Sequence, residues 1–284
     1  MTASHPPHDE SLIHLDSTAQ IMNDIGSRLA GRLRLVTLRG HRSPAAPALV
    51  LVAHGSRDPR ALHTVRALMD RVRHLRPAVP LHLGHIELNE PLLPDALAAL
   101  GQTPAVLVPL LLGRGYHVKQ DIPEMAAAAS ADTRSAAPLG PHPLLAQALH
   151  TRLTEAGWPA TMDDTARRST AVVLAAAGSR DPDSATDTRR TARLLAARLG
   201  VPVVPAYASA ATPTVETALH ALAARGRHRV AVASYFAAPG RFATQCAQQA
   251  PWIASAPLGA HEAMARLILH RYDQSSSARS TEAA

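Results

Sequence analysis

The sequence predicts an α/β fold built from two similar halves, each a four-stranded parallel sheet with helices on both faces. Apolar runs alternate with amphipathic helical segments in the order βαβαβαβα, which is typical of parallel sheets. In addition, the segment from Ala48 to Pro59, ALVLVAHGSRDP, recurs as AVVLAAAGSRDP from Ala171 to Pro182, with Ala177 in place of His54. A unit that occurs twice and keeps its histidine once indicates a duplicated scaffold with one working site.

The first half is divided into elements by its hydrophobic pattern. Its strands are near-continuous apolar runs, as expected of strands buried on both faces: Leu49 to Ala53, Leu81 to Leu88, Ala105 to Leu112 and a short strand near Ala137. Its helices show apolar residues at helical spacing: Arg60 to Leu75, Pro94 to Leu100 before the helix-ending Gly101, a helix from about Pro123, and one through Leu144, Leu145 and Leu149.

The second half repeats this order. Its predicted strands are Ala171 to Ala176, Val201 to Tyr207, Arg229 to Phe236 and Ile253 to Pro257. We therefore expect a mobile extension over residues 1–45, a lobe carrying the site over 46–156, a polar linker over 157–169, a degenerate repeat lobe over 170–272 and a disordered tail over 273–284.

Composition excludes several classes of protein. The single cysteine, Cys246, rules out an internal disulfide and argues against cysteine-ligated clusters. No apolar stretch is long enough to span a membrane and Met1 to Glu10 lacks signal-peptide features, so a cytoplasmic protein is expected. The net charge of +7 suits a polyanionic partner. Nucleic acid is not expected, because basic runs and aromatic platforms are absent from the sequence.

Three ionisable residues of the first half follow successive strands. His54 comes after the first strand, Glu87 lies near the end of the second and His117 follows the third. The carboxyl ends of parallel strands meet at one edge of a sheet, so these side chains can converge in one crevice. Two imidazoles and a carboxylate suit a divalent first-row metal with open coordination positions. Glu90 and His85 are alternatives to Glu87 as the third ligand, although a packed strand histidine is the stronger interpretation of His85.

The second half offers an internal control for these candidates. Ala177 corresponds to His54, Ser209 to Glu87 and Arg241 to His117 in the alignment of the repeats. The scaffold therefore does not require the candidate ligands.

The motifs AHGSRDP, IELNEP and GYHVKQDIP resemble those of the sirohydrochlorin chelatases, the CbiX/SirB-type class II tetrapyrrole chelatases, over residues 46 to 272. The resemblance implies two lobes facing across a cleft and insertion of cobalt or ferrous iron into sirohydrochlorin, with no cofactor beyond that substrate metal. It also implies that His54 and His117 bind metal and accept pyrrole protons, with Glu87 assisting. The two internal lobes already supply a cleft, which is compatible with a monomer.

Sirohydrochlorin carries eight carboxylates, so cations near the strand ends are candidate substrate ligands. The candidate substrate-binding residues are Ser56, Arg57, Arg114, Lys119 and Arg241. Two other functions stay open: a non-catalytic metal or tetrapyrrole carrier, and a histidine-phosphatase-like hydrolase using the His-Gly turn. The hydrolase is disfavoured because Ala53 occupies the place before His54 where such enzymes carry an arginine.

Overall fold

The computed structural model describes the backbone of residues 46–282 and the side chains up to residue 277. From Pro47 on, the described chain forms one compact unit. It contains a four-stranded sheet, in which the strands lie in the order second, first, third, fourth, and a three-stranded sheet, in which they lie in the order sixth, fifth, seventh, counted along the chain. All strand pairs are parallel. The predicted α/β class with two parallel sheets is confirmed, while the extension expected over residues 1–45 lies outside the described residues.

The elements of the first lobe follow the predicted order. Its strands are β1 Ala48–Ala53, β2 Leu81–His85, β3 Ala105–Pro109 and β4 Thr133–Ser135. Its helices are α1 Pro59–Leu75, α2 Leu93–Leu100, α3 Tyr116–Lys119, α4 Asp121–Ala127 and α5 Pro143–Glu155. The second and third strands end three residues earlier than predicted, because the chain turns toward the site while its sequence is still apolar.

The second lobe begins with a short helix inside the expected linker. Its helices are α6 Asp164–Ser169, α7 Pro182–Leu199, α8 Val215–Ala223, α9 Arg241–Ala247 and α10 Glu262–Glu282. Its strands are β5 Thr170–Ala176, β6 Val203–Tyr207 and β7 Arg229–Tyr235.

Two expectations for the second lobe were wrong. The fourth strand, predicted from Ile253 to Pro257, is reduced to one isolated bridge between Val232 and Ala254, since two prolines and alternating small residues leave little to pair or pack. The tail expected to be disordered continues α10 as helix through Glu282, because Ala, Arg and Glu favour helix. The hydroxyls of Ser276 and Ser277 donate to carbonyls one turn earlier within it.

One hydrophobic core joins the two sheets. It contains buried residues of β1 and β3, of β5 and β7, and of the helices α1, α5, α7 and α10. Two smaller cores lie on the outer faces, one under α2 and α4 and the other under α8 and α9. The order of layers is therefore helices, sheet, shared helices, sheet and helices.

The closing helices are exchanged between the lobes. Helix α10, which ends the second repeat, contacts α1 and β3 of the first lobe, whereas α5 contacts α7 and β7 of the second. The second lobe is thus part of the packing that supports the first, although it has lost the candidate ligands.

Candidate functional site

The turn after β1 places His54 at the carboxyl edge of the first sheet. Gly55 has φ +101°, and a Cβ built there would lie 1.8 Å from the carbonyl oxygen of Glu87. The Glu87 amide donates to the carbonyl of His54 at 3.0 Å. Only glycine combines this backbone conformation with so close an approach. The sequence Gly-Ser-Arg-Asp-Pro therefore fixes where His54 and Glu87 stand relative to each other.

The two predicted histidines meet. Nε2 of His54 lies 3.1 Å from Nε2 of His117, and the rings are nearly perpendicular with centroids 4.7 Å apart. Their side chains are 41% and 36% exposed. Both imidazoles are therefore reachable from solvent and present the same nitrogen to one small gap.

A carboxylate lies behind each imidazole. Oδ2 of Asp121 is 2.5 Å from Nδ1 of His117, and Oε1 of Glu87 is 3.6 Å from Nδ1 of His54. A carboxylate only accepts, so Nδ1 of His117 donates its proton to Asp121 and Nε2 keeps a lone pair. Carboxylates behind histidine ligands orient the ring and make it a better donor to a metal.

The geometry places Glu87 away from the gap that the two histidines share. The sequence predicted a third metal ligand, but Glu87 faces the ring nitrogen of His54 that points away from His117. Across the part of the chain that the structure describes, no three His, Cys, Asp or Glu side chains are grouped to hold one ion. The alternative His85 is 2% exposed and its Nδ1 lies 3.2 Å from the carbonyl of Pro91. Burial lowers the pKa of His85, as expected of a packed strand histidine.

A cavity of about 660 Å³ opens between the lobes at this point. This volume is within the range of small-molecule sites. The first lobe lines it with His54, His117, Ser56, Arg57 and the side chains of Leu88 and Tyr116, and the second lobe with Ser179, Tyr235, Arg241 and Phe242. Both lobes therefore shape the space next to the paired imidazoles.

The predicted substrate-binding cations divide into two pairs. Arg57 and Arg241 line the cavity, and neither forms an ion pair with a carboxylate of the described residues. Arg114 instead binds Asp187 through its backbone N, Nε and one terminal nitrogen at 2.8 to 3.0 Å. Lys119 binds Asp181 and Asp183 at 2.6 and 2.9 Å. The second pair joins the lobes and has few donors left for a ligand.

Ser56 supports the turn. Its hydroxyl accepts from the amide of Asp58 at 3.1 Å, and its own amide donates to Asn89 at 2.7 Å. Ser179 accepts from the amide of Asp181 in the same way. The repeated Ser-x-Asp is thus a structural motif in both lobes.

Sequence reasoning missed Asp121, Leu88 and Tyr116. Asp121 lies four residues after His117, at the start of α4. Gln120 interrupts the helical conformation between α3 and α4, but this spacing was the available signal. Leu88 and Tyr116 are 52% and 65% exposed. They are two of the three large apolar residues that are exposed in the described chain. Leu88 also has φ +67°. In the sequence, only their adjacency to Glu87 and His117 indicated that Leu88 and Tyr116 lie at the candidate site.

The sheet register corrects one correspondence between the repeats. Val52 pairs with Pro109 and Ala175 with Ser234, so Gly115 and Gly240, six residues further on, occupy the same place before α3 and α9. Phe242 therefore corresponds to His117, whereas the sequence alignment had placed Arg241 there. The slip arose because few residues between β7 and Gly240 resemble the first half.

The comparisons with known proteins agree with the duplication. The family model CbiX matches residues 48–156 and 171–275. A sirohydrochlorin cobaltochelatase of Methanopyrus kandleri is 37% identical over 81 residues, which are 28% of this chain and 57% of the relative. A sirohydrochlorin ferrochelatase of Bacillus subtilis is 30% identical over 177 residues, 58% of this chain and 64% of the relative. The chain thus spans less than two thirds of the length of either curated relative.

A solved structure shares the fold. SirB from Bacillus subtilis with Fe³⁺ superposes with a TM-score of 0.66 at 23% identity, covering 82% of this chain and 97% of that chain. Two repeats of one family model and this superposition confirm the family resemblance and the two-lobed α/β architecture predicted from the sequence. In the described residues, no helix has both the length and the apolarity needed to cross a membrane.

Proposed function

The chain belongs to the CbiX family, and we propose that it is a lyase that inserts a divalent metal ion, Co²⁺ or Fe²⁺, into sirohydrochlorin. The observation that carries the proposal is the pair of Nε2 atoms 3.1 Å apart at the mouth of the cavity between the lobes. Two neutral imidazoles suit a divalent first-row ion.

The spacing of the two nitrogens suits a shared ion. Metal–nitrogen distances of about 2.0 to 2.1 Å in tetrahedral geometry put two ligand nitrogens roughly 3.3 Å apart. Binding therefore requires a small shift of the rings and loss of the proton held between them. Two ligands leave the other coordination positions open, so the ion can be passed to the four pyrrole nitrogens.

The carboxylates behind the imidazoles complete the proton path. Metallation releases two N–H protons from the macrocycle as the ion enters. When the ion leaves His54 and His117, their Nε2 atoms regain lone pairs beside the macrocycle and can accept these protons. Glu87 and Asp121 stabilise the resulting imidazolium ions through Nδ1–H. Solvent receives the protons afterwards, because both rings are partly exposed.

The macrocycle is held by charge at its rim and by apolar contact on its face. Arg57 and Arg241 line the cavity from opposite lobes without carboxylate partners among the described residues, so they are available to the substrate carboxylates. Leu88 and Tyr116 stand beside the histidines and offer exposed apolar surface to the ring plane. An exposed leucine in a left-handed conformation is a costly feature, typical of functional sites.

Multiple-turnover metallation tests the proposal. Purified protein with excess sirohydrochlorin and Co²⁺ or Fe²⁺ should change the macrocycle absorption faster than the spontaneous reaction. H54A and H117A should each reduce the rate to the spontaneous level. H54A should still fold, because Ala177 occupies the corresponding place in the second lobe. Absence of any acceleration by the wild type contradicts the proposal, and binding without turnover assigns a carrier instead.

Rates measured with Co²⁺ and Fe²⁺ side by side would identify the preferred ion, while sirohaem and cobalamin both stay open as the end product. The cytoplasmic location and the monomeric state stay predictions. The same holds for the absence of a further cofactor and of a nucleic-acid partner.

A further inference from the structure

The loop that carries His117 is fastened by the lobe that has no ligands. Asp187, on α7 of the second lobe, is 1% exposed. It accepts three hydrogen bonds from Arg114, which lies three residues before His117. One of these bonds comes from the backbone amide of Arg114, so Asp187 fixes the path of the main chain as well as the side chain.

A second bond from the same lobe holds the start of this loop. The hydroxyl of Tyr235 donates to the carbonyl of Leu112 at 2.9 Å and lies 3.1 Å from Oγ1 of Thr191. The single hydroxyl proton of Thr191 is within reach of both this Tyr235 oxygen and the carbonyl of Asp187, each 3.1 Å away. Burial raises the pKa of Tyr235, which keeps this hydroxyl protonated and able to donate. We call Asp187, Thr191 and Tyr235 the lobe-two anchor.

The anchor acts on one side only. By the repeated Gly-Ser-Arg-Asp-Pro turn, Thr64 is at the place of Asp187 in the first lobe. By the sheet register, Leu110 is at the place of Tyr235, and Pro239 stands where Arg114 would be in the second lobe. The first lobe therefore cannot hold the second-lobe loop in the same way. If the Asp187–Arg114 bonds served only to join two similar lobes, we would expect a counterpart at the matching loop of the second lobe. Within the described residues, they occur only at the loop that bears His117.

The buried charge strengthens this interpretation. A buried carboxylate is costly unless it is fully paired, and Asp187 is paired by a fork of Arg114 donors plus an amide. The neighbouring bonds of Lys119 to Asp181 and Asp183 are half-exposed, and exposed ion pairs contribute little. Asp187 is thus the strong contact among those that join α7 to the His117 loop.

We propose that Asp187, supported by Tyr235, is a positioning residue for His117, and that the second lobe is retained because it sets the distance between the two imidazoles. The inference rests on the proposed function, since it concerns how the distance between His54 and His117 is set at the same site. The pairing with Asp187 occupies Nε and one terminal nitrogen of Arg114, which leaves fewer donors of that guanidinium for a substrate carboxylate.

The test compares D187N with D273N. Arg76 and Asp273 form another two-bond Arg–Asp pair at 3.0 and 3.1 Å, remote from the cavity, and D273N is the matched control. We expect D187N to weaken Co²⁺ binding without the macrocycle, read from the visible absorption of bound Co²⁺, by about 10- to 100-fold. D273N should bind Co²⁺ like the wild type.

A second readout does not depend on metal. The Nδ1–H proton that His117 donates to Asp121 gives an NMR signal that reports the position of the ring. It should broaden or vanish in D187N and persist in D273N. Because this signal needs neither metal nor sirohydrochlorin, it tests the anchor even if the wild type inserts no metal, an outcome that refutes the proposed function alone.

Y235F decides the matter if D187N does not fold, because it removes one hydroxyl and keeps the ring. It should weaken Co²⁺ binding several-fold and broaden the same signal. Wild-type Co²⁺ affinity and an unchanged His117 signal in the folded variants overturn the proposal. A raised KM for sirohydrochlorin with unchanged Co²⁺ affinity in D187N also overturns it, and assigns Arg114 to the substrate.

Discussion

At the scale of single residues, the site is defined by which nitrogen each imidazole presents. His54 and His117 direct Nε2 toward each other, while Glu87 and Asp121 face the Nδ1 atoms. The same four side chains with the rings flipped would offer one ion no shared position. Ring orientation, which Asp121 sets for His117, therefore decides whether two histidines on separate turns form one site.

A matched pair of arginines tests substrate recognition at this scale. Arg57 lines the cavity, and Arg180 occupies the same place in the repeated turn of the second lobe. R57Q should raise the KM for sirohydrochlorin by about 10-fold, the equivalent of one charge-assisted hydrogen bond, with little change in the rate at saturation. R180Q should leave both values unchanged in the same steady-state assay. Equal effects of the two substitutions would refute the assigned role of Arg57.

At the scale of elements, the same unit of strand, turn and helix occurs twice, and only the first copy carries a candidate metal ligand. Asp58 and Asp181 cap α1 and α7 by accepting from the amide two residues on, at 2.9 Å in both. Gly55 and Gly178 each bring the turn against the carbonyl that follows the neighbouring strand. These repeated residues are required by the backbone, and the residue between strand and glycine is free to be His or Ala.

Glycine substitutions separate the two lobes. A Cβ at Gly55 or Gly178 would lie 1.8 Å from a carbonyl oxygen, whereas nothing lies within 4 Å of one at Gly101, which also has positive φ. G55A and G178A should each cost about 3 kcal/mol or more of unfolding free energy, and G101A about 1 to 2 kcal/mol. Denaturant unfolding measures these values.

The catalytic consequences differ as well. Any G55A protein that folds should lose most metallation activity, since the turn carries His54 and contacts Glu87. Folded G178A should keep much more. A G55A protein with the stability of the wild type would show that the close approach is not a constraint.

At the scale of the whole molecule, the exchanged helices make one folding unit of two repeats. Helix α10 covers α1 and β3 of the first lobe, and Arg271 on α10 donates to the carbonyls of Pro138 and Leu139. Helix α5 is in return packed on the second sheet, and Arg152 on it donates to the carbonyl of Leu258. Neither lobe contains all of its own core.

Buried and half-buried histidines make the stability of this unit depend on pH. Burial is the main cause of the lowered pKa of His85, His142, His150 and His261. In the unfolded chain these residues take up protons near pH 6.5, while the folded protein resists protonation until a lower pH. The unfolded state thus binds more protons in this window, so stability is full above about pH 6.5 and falls as the pH is lowered below it.

Two of these histidines provide the test. Nδ1 of His142 accepts from the amide of Leu144, and Nδ1 of His261 from that of Ala263, so protonation removes two helix caps. The double variant H142N/H261N keeps cap acceptors that do not titrate. Its Tm should fall less between pH 7.5 and pH 5.5 than that of the wild type. The carboxylates with lowered pKa, Asp58 and Asp181, titrate below pH 3.8 and do not affect this comparison. An identical Tm drop in both proteins would contradict the assignment.

The sequence by itself determined the fold class, the duplication and the two histidines, because these are written in local pattern: apolar runs, repeated Gly-Ser-Arg-Asp-Pro turns and a histidine after each of two strands. The position of Asp121 four residues after His117 was also readable, although it was missed.

Only the tertiary structure decided the roles of the other candidates. Arg114 and Lys119 look like Arg57 in sequence, but their carboxylate partners lie more than sixty residues away in the other lobe. Glu87 lies beside Nδ1 of His54, on the side of the ring away from His117, and sequence spacing does not show which ring nitrogen it faces. The exchange of closing helices was equally hidden. Hydrophobic periodicity predicts which face of a helix is buried, but it does not predict which element packs against that face. The packing partner depends on the free energy of the whole core.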